Sequence, residues 1–221
     1  MIIVIDGPAG SGKSSTAKAI ANSLNIQFLD SGALYRSITY IWLKQGKPEK
    51  AEFFENLSAV QLQTDYRNQV FHVRINGEEV TEQIRSQEVA NHVSEIASDP
   101  RARSYVNGFM KKLVQQGVFV ADGRDLGTAV FPEADLKFYM DASVDERAKR
   151  RYREMRDSDS SVTLEHVRQN IVERDYKDSN RKSDPLRKAS DAITIDTTGK
   201  TFEEQLSEML TIIEEELKLK P

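Results

Sequence analysis

The sequence contains no cysteine in its 221 residues and only three histidines. The absence of cysteine excludes a disulfide framework, a thiolate metal site and a cysteine nucleophile. His72, His92 and His166 are scattered along the chain, and none lies in a motif with a carboxylate. The sequence therefore indicates neither a zinc site nor a histidine general base.

Long hydrophobic runs are also missing. The longest apolar stretches, such as 117–121 and 2–5, are far shorter than the roughly 20 residues that span a bilayer. Mean hydropathy is −0.55, and the N-terminus has no basic region ahead of its short apolar stretch. We therefore expect a cytoplasmic protein without a membrane anchor.

The net charge is small, −4, but it is unevenly distributed. Residues 147–188 contain 13 Lys and Arg against 8 Asp and Glu, so the remainder of the chain is acidic. An acidic total argues against a protein that coats nucleic acid. The basic segment indicates either a site for a small polyanion or a solvated helix with ordinary surface ion pairs.

Strand and helix patterns alternate at both ends of the chain. A short β-branched run at 2–5, a helical pattern at 13–24 and a second apolar run at 26–29 make a βαβ unit. Further strands are predicted at 118–123, 136–141 and 192–195, and further helices at 33–44, 81–97, 100–116, 144–156, 163–178 and 201–217. The fold class is therefore α/β, with a parallel sheet of about five strands and helices on both faces.

Residues 60–80 have a different pattern from the rest of the chain. Polar and apolar residues alternate there, with turn signals at Asp65–Asn68 and at Asn76-Gly77. This pattern predicts a small antiparallel hairpin inserted into the parallel-sheet body.

One motif determines the class of protein. The residues from Gly7 to Ser14 satisfy G-x-x-x-x-G-K-[ST], and they lie between a predicted buried strand and a predicted helix. In such a loop backbone N–H groups bind a phosphate chain, Lys13 reaches the β- and γ-phosphates, and the Ser14 hydroxyl binds Mg²⁺. The predicted ATP-binding residues are Gly7, Pro8, Ala9, Gly10, Ser11, Gly12, Lys13, Ser14 and Ser15.

Two other classes with glycine-rich loops fit less well. The Rossmann fingerprint fails because Ser15 occupies its third glycine position. Asp196-Thr-Thr-Gly199 matches the D-x-x-G switch of GTPases, but it lies near the C-terminus and no N-K-x-D guanine-reading motif is present. The remaining class is a small-molecule kinase.

The basic segment fits a kinase lid, here 144–188. Arg147 and Arg151 are spaced i, i+4 on one predicted helix, and Arg174, Asp178 and Arg181 are spaced i, i+4, i+7 on the next. Arginines on a mobile hairpin could neutralise two phosphorylated substrates and exclude water. We predict Lys13, Arg147 and Arg151 as catalytic, although surface ion pairs worth less than about 1 kcal/mol would give the same spacing.

The absence of a recognisable general base limits the chemical class of the acceptor substrate. A phosphate monoester has a second pKa of about 6, so it is already ionised at neutral pH and needs no base to activate it. The sequence therefore favours a phosphate acceptor over a sugar or an alcohol.

Three strings resemble the bacterial-type cytidylate kinases, in register from end to end of the chain. They begin at Asp30-Ser31-Gly32-Ala33-Leu34-Tyr35-Arg36, at Ala121-Asp122-Gly123-Arg124-Asp125-Leu126-Gly127 and at Glu173-Arg174-Asp175, the last continuing to Pro185-Leu186. The resemblance includes the hairpin insertion. It implies one P-loop kinase unit, with a core at about 1–30, 117–143 and 190–221, a monophosphate-binding region at about 31–116, and the lid.

The resemblance also implies roles for individual residues. Arg36, Arg124 and Arg181 would bind the acceptor phosphate, and Arg174 and Asp178 the ribose. Ser94, Arg103 and Asp125 would read the base, because a carboxylate accepts from the cytosine N4 amino group whereas uracil presents a carbonyl there. The implied CMP-binding set is Ser31, Tyr35, Arg36, Ser94, Arg103, Arg124, Asp125, Arg174, Asp178 and Arg181.

The implied reaction is transfer of the γ-phosphoryl group of ATP to CMP or dCMP with Mg²⁺, by a monomer that binds neither nucleic acid nor membrane. Ser14-Ser15-Thr16 and Tyr176-Lys177 depart from the usual family pattern, yet Ser14 keeps the metal-binding hydroxyl. Either Asp30 or Asp122 could supply a second metal ligand. A kinase for UMP or shikimate, or an RNA-binding or nucleotide-sensing module, remains the alternative.

Overall fold

The computed structural model describes residues 1–156 and 162–219, so the polar break predicted at 157–161 lies outside the described residues. The described strands are β1 (Ile2–Asp6), β2 (Gln27–Asp30), β3 (Leu62–Arg67), β4 (Val70–Ile75), β5 (Glu78–Glu79), β6 (Phe119–Gly123), β7 (Leu136–Asp141) and β8 (Ile193–Asp196). The described helices are α1 (Lys13–Leu24), α2 (Ser31–Lys44), α3 (Lys50–Asn56), α4 (Gln87–Ala97), α5 (Pro100–Leu113), α6 (Val144–Arg156), α7 (Leu164–Asn180) and α8 (Phe202–Leu219).

The main sheet has five parallel strands in the order β2-β6-β1-β7-β8, which confirms the predicted fold class. Ile3, Val4 and Ile5 of the central strand are all buried. Because successive side chains on a strand point to opposite faces, continuous burial means that both faces of the sheet are covered. No helix in the described part of the chain is both long and apolar enough to cross a membrane.

The predicted insertion is a three-stranded antiparallel sheet in the order β3-β4-β5. Asn68 and Gln69 join β3 to β4 with φ of 51° and 62°, and Asn76 and Gly77 join β4 to β5 with φ of 52° and 83°. Two successive positive φ angles are typical of the tight turn that suits twisted hairpins. The Asn76-Gly77 turn is as predicted, whereas β3 continues to Arg67, so the first turn begins at Asn68.

The helices differ most from the predictions at two places, and the helix predicted over 100–116 ends at Leu113. Helix α3 was not predicted, because its seven residues are too few for a clear helical period. The helix predicted over 81–97 begins later, because Ser86 caps α4 by accepting a hydrogen bond from the backbone N–H of Val89, after a short 3₁₀ turn at Gln83–Arg85. By contrast, α1 and α6 have the predicted bounds.

Helices α6 and α7 pack on each other through a small core of their own, formed by Ala148, Val167 and Ile171. This core is separate from the hydrophobic core around the main sheet. A helical pair with its own small core is suited to move as a unit.

Gly7 is the position where the fold places the tightest demand on one residue. Its φ is +153°, and a Cβ added there would lie 2.1 Å from the backbone oxygen of Met140 at the end of β7. Gly46 has a φ of +77°, but a Cβ there would contact nothing within 4 Å. Gly7 is therefore required by close backbone approach, and Gly46 only by its φ angle.

We expect Gly7→Ala to lower the free energy of unfolding by about 3 kcal/mol or more, because strand β7 would have to shift. Gly46→Ala, the matched control, is expected to cost about 1 kcal/mol from backbone strain alone. Urea unfolding followed by circular dichroism measures both values. Equal losses in the two variants would contradict this account of Gly7.

Candidate active site

The candidate site lies at the carboxyl edge of the main sheet, where β1, β2 and β6 end side by side. Asp30 and Asp122 are register partners across β2 and β6, and Ile5 of β1 pairs with Asp122 on its other side. Parallel strands place their carboxyl ends at one edge, so the loops after them converge there. The predicted phosphate-binding loop is one of these loops.

The loop from Gly7 to Gly12 is shaped by positive φ angles at its glycines. Gly12 precedes α1, and no side chain caps the first turn of that helix. The first N–H groups of the helix therefore remain available to a phosphate group, as in other helix N-terminal anion sites.

Lys13 is the first residue of α1, and its side chain reaches back into this loop. Its ammonium donates a 3.0 Å hydrogen bond to the Pro8 carbonyl, and only 5% of the residue is exposed. Burial lowers the pKa of Lys13 to about 7, and the neighbouring Arg124 and Arg174 lower it further, against the opposite effect of Asp122. An anion beside Lys13 would offset both the cost of burying its charge and the repulsion from the two arginines.

Ser14 and Asp122 form a hydroxyl–carboxylate pair beside Lys13. The Ser14 hydroxyl donates to Asp122 Oδ2, while Asp122 Oδ1 is buried and has no hydrogen-bond partner within the described residues. Burial, followed by repulsion from Asp30, raises the pKa of Asp122 to about 6. The buried, unpartnered oxygen and the adjacent hydroxyl fit the hard oxygen ligands that Mg²⁺ prefers.

Asp30 is less suited to be the metal ligand. Its carboxylate caps α2 by accepting a 2.8 Å hydrogen bond from the Ala33 N–H, and Arg85 lies 3.4 Å from its other oxygen. Both oxygens of Asp30 thus already have partners within the protein. The Ser31 hydroxyl also has one, because it donates to the Asp122 carbonyl at 2.6 Å. The geometry therefore favours Asp122 over Asp30.

Arg124 and Arg174 lie near Lys13, and Arg36 and Arg151 lie near Arg174, so the five cations form what we call the cationic cluster. Burial lowers the pKa of Arg174 to about 10, and Arg124, Arg36 and Arg151 lower it further. The guanidinium groups of Arg36 and Arg174 donate no hydrogen bond to any described residue. Like charges held together without full pairing are costly unless an anion binds between them. The cluster consists of Lys13, Arg36, Arg124, Arg151 and Arg174.

The lid arginines differ in their surroundings. Arg151 is about half exposed, where it pairs with Glu154 at 2.8 Å, so it is free to move toward a ligand. Arg147 is buried, and its guanidinium donates to the carbonyls of Ala142 and Ala9, both at 2.9 Å, and to Asp175 at 2.5 Å. Arg147 lies beneath the phosphate-binding loop, and its predicted contact with substrate stays a prediction.

Asp175 was not predicted to have a role, although it follows Arg174 directly. It accepts from the Ala9 N–H at 3.1 Å as well as from Arg147, so α7 is fastened to the loop at Ala9. A Cβ on Gly10 would lie 3.3 Å from Arg147 Cβ, so loop and lid are in close contact there. Sequence spacing alone gave no signal for these contacts, because they join residues far apart in the chain.

Two of the three predicted base-reading residues, Arg103 and Asp125, are in direct contact. Asp125 accepts from Arg103 Nη2 through one oxygen and from Arg181 Nη2, at 2.5 Å, through the other. The Arg103 guanidinium lies 5.5 Å from the centre of the Tyr35 ring, whose hydroxyl donates to Asn107 at 3.3 Å. Ser94, on α4, is partly buried.

Arg181 therefore lies with the base-reading residues rather than as a free cation of the cluster. Its side chain is only 6% exposed, and besides Asp125 it donates to the Asp184 carbonyl at 2.7 Å. Arg124 donates to Asp178 at 3.0 Å, so these two predicted residues are adjacent as well. The predicted contact between Arg181 and the acceptor phosphate stays a prediction.

Asp6 is a further residue that the sequence analysis did not assign. Its carboxylate accepts from the N–H groups of Leu126 and Gly127 at 2.9 and 2.7 Å, within the π-helical turn that follows Asp125. Burial raises the pKa of Asp6 to about 6 even though these N–H groups lower it. The end of β1 thus holds the segment that carries Arg124 and Asp125.

A phosphate-binding loop facing an incompletely paired cationic cluster, with a second polar site close by, defines a P-loop kinase for small acceptors. Known proteins agree with this class. The family model described as cytidylate kinase matches residues 3–215. A cytidylate kinase from Clostridioides difficile (strain 630) is 41% identical over 213 residues, which cover 96% of this chain and 98% of that one. The chain belongs to the cytidylate kinase family.

A solved structure of an uncharacterized protein from Eubacterium ventriosum ATCC 27560 also resembles this chain. It superimposes with a TM-score of 0.54 at 13% identity, covering 97% of this chain and 98% of that one. At that identity the likeness supports the fold alone.

The pKa of Lys13 leads to a testable prediction. Phosphate groups beside Lys13 should raise its pKa from about 7, so the complex with ATP holds more protons than the free protein. At pH 8, where Asp122 is already ionised, binding should take up close to one proton per ATP. Calorimetric titrations in buffers of different ionisation enthalpy measure this number.

The matched variants are Lys13→Met and Lys18→Met, both on α1. Uptake should disappear in Lys13→Met and persist in Lys18→Met. The same uptake in Lys13→Met as in the unmodified protein would assign the proton to another group.

Proposed function

We propose that the cytidylate kinase reaction of this chain, transfer of the γ-phosphoryl group of ATP to CMP or dCMP, takes place between the phosphate-binding loop and the Arg103–Asp125 pair. The cationic cluster, in which Arg36 and Arg174 have no carboxylate of the described residues hydrogen-bonded to them, carries this proposal. It lies beside the loop that would hold the ATP phosphates and beside the residues that would read a base. Two phosphorylated nucleotides together supply the negative charge that the cluster lacks.

In this proposal the chain acts by positioning and by neutralising charge. The ATP phosphate chain binds the N–H groups of the loop and Lys13, and the acceptor phosphate binds Arg36 and Arg124, with Arg181 as the third predicted contact. An acceptor phosphate oxygen, ionised at neutral pH, then faces the γ-phosphorus without a general base. Arg174 and Arg151 neutralise the charge that spreads over the transferring group.

Ser14 and Asp122 would hold Mg²⁺. The metal ion would offset charge on the β- and γ-phosphates. Arg151 would move in from its exposed position to contact the phosphates. Closure of α6 and α7 would also exclude water that could otherwise intercept the phosphoryl group.

Selection of the base rests on Asp125. Both its oxygens accept from arginines, but a carboxylate has about four lone-pair sites, so it can still accept from the cytosine N4 amino group. Uracil would present a carbonyl oxygen to this carboxylate and bind less well. Ser94 and Arg103 are proposed to contact the remaining base edge, and Arg174 and Asp178 the ribose.

We further propose that the chain works as a monomer in the cytoplasm, as one unit of core, monophosphate-binding region and lid with the boundaries given above. The separate small core of α6 and α7 supports this division into core and lid.

The test is ADP formation from ATP and Mg²⁺ with CMP, dCMP, UMP, AMP, GMP or shikimate, beside a control without acceptor. We expect turnover with CMP and dCMP, and much slower turnover with UMP. Preference for UMP or shikimate would replace the assigned acceptor, and turnover without acceptor would overturn the kinase assignment.

The same assay tests Asp125 with the variant Asp125→Asn, which keeps the shape of the side chain between the two arginines. We expect kcat/KM for CMP to fall by about a hundredfold and that for UMP much less, because the amide loses the charge and one acceptor oxygen. An equal fall in kcat/KM for CMP and UMP would show that Asp125 does not distinguish the two bases.

A further inference from the structure

The segment that follows α7 contributes a residue to the base-reading site that the sequence analysis did not predict. After Asn180 the chain turns back, and the Leu186 N–H donates to the Asp178 carbonyl at 2.8 Å. Within this turn Asp184 has a φ of +47°, an angle that Asp and Asn tolerate better than most residues. The left-handed conformation places Asp184 against the two arginines that hold Asp125.

Asp184 contacts both of these arginines. Its carboxylate Oδ2 accepts from Arg103 Nε at 2.7 Å, and its backbone oxygen accepts from Arg181 Nε at 2.7 Å. Arg103 and Arg181 in turn donate through their Nη2 atoms to the two oxygens of Asp125. The four residues therefore form a closed ring of charged hydrogen bonds.

Charge balance gives Asp184 a specific place in this ring. The side chains of Arg103 and Asp125 are 2% and 6% exposed, and that of Arg181 is 6% exposed, so two cations and one anion are nearly out of contact with water. A buried cation needs a full set of acceptors. Asp184, at 35% exposure, supplies the second carboxylate and balances the charge of the group.

Asp184 also determines which edge of Arg103 faces Asp125. Because Asp184 holds Nε, Arg103 approaches Asp125 through Nη2 alone. Without Asp184, only the long 3.3 Å bond from Arg103 Nη1 to the Ala97 carbonyl would oppose a turn of the Nε edge toward Asp125 into a two-pronged pair, which arginine and carboxylate favour. That pair would compete with Arg181 and with a nucleobase for the same carboxylate oxygens.

We propose that Asp184 is a positioning residue for the acceptor nucleotide: it holds Arg103 so that Arg103 and Asp125 together face the cytosine base. Asp184 thereby sets the affinity for CMP and the discrimination against UMP, without contacting the base itself. This proposal rests on the proposed function. Since Asp184 lies directly after the lid helix, it also ties the base-reading residues to the end of the lid.

The test uses two substitutions that both tolerate a positive φ angle. Asp184→Gly removes the carboxylate without straining the backbone, and Asp184→Asn keeps a neutral acceptor for Arg103 Nε. Asp191→Asn is the matched control, because Asp191 also pairs with a cation, Lys137 at 2.7 Å, but outside the site. Steady-state kinetics with CMP, UMP and ATP are measured for each variant, together with the melting temperature.

For Asp184→Gly we expect KM for CMP to rise about tenfold, because one charged hydrogen bond is lost. The values of kcat and of KM for ATP should change less than about twofold. The preference for CMP over UMP in kcat/KM should fall in the same variant. Asp184→Asn should lie between Asp184→Gly and the unmodified protein, and Asp191→Asn should match the unmodified protein.

Two results would overturn the proposal. The first is an unchanged KM for CMP in Asp184→Gly. The second is a loss in which kcat, both KM values and the melting temperature all change together, since that pattern belongs to a purely structural residue. Failure of the proposed function is recognised separately, because the unmodified protein would then show no preference for CMP at all.

Discussion

Repulsion between buried cations is the constraint on which the rest of the structure depends. Lys13, Arg124 and Arg174 influence one another strongly enough that burial and mutual repulsion lower the pKa of Lys13 to about 7 and that of Arg174 to about 10. Such an arrangement costs free energy in the free protein. It is useful because the same cations attract phosphate groups. The fold already holds the cations in place, so binding need not spend free energy on bringing them together.

Carboxylates hold the segments that carry these cations: Asp6 and Asp122 lie at the ends of strands, and Asp175 lies within α7. Asp6 fixes the turn after β6, Asp122 lies against Ser14 of the loop, and Asp175 fastens α7 to Ala9. None of these three contacts neutralises Arg174 or Arg36. The acidic residues thus provide a frame that positions the cluster and leaves its charge available to a ligand.

The base-reading site follows a different rule. There the charges are matched: Arg103 and Arg181 face Asp125 and Asp184, with Arg103 almost fully buried. A balanced and closed group of hydrogen bonds is rigid, which suits recognition of a fixed pattern of donors and acceptors on a base. The acceptor nucleotide would therefore place its phosphate in the positively charged cluster. Its base would lie against a group whose positive and negative charges are equal in number.

Local patterns allowed much of this structure to be predicted. The loop from Gly7 to Ser14 and the bounds of α1 follow from residues adjacent in sequence, and the alternation at 60–80 correctly predicts the inserted sheet. Partners far apart in the chain could not be predicted. The places of Arg147 beneath the loop and of Arg181 beside Asp125 depend on how α6, α7 and β6 pack, and periodicity carries no information about that.

The central claim, that the cationic cluster is held under repulsion until phosphates bind, is tested most directly with Arg174→Met. Methionine keeps the apolar stem and removes the charge. Arg168→Met, on the exposed face of the same helix where Arg168 pairs with Asp145, is the control. The melting temperature is measured for both variants with and without ATP and CMP.

The account predicts that Arg174→Met melts about 2 °C or more above the unmodified protein when no nucleotide is present, and gains less stability when nucleotides are added. Arg168→Met should show neither change. A lower melting temperature for nucleotide-free Arg174→Met would show that Arg174 stabilises the free protein, and it would contradict the account.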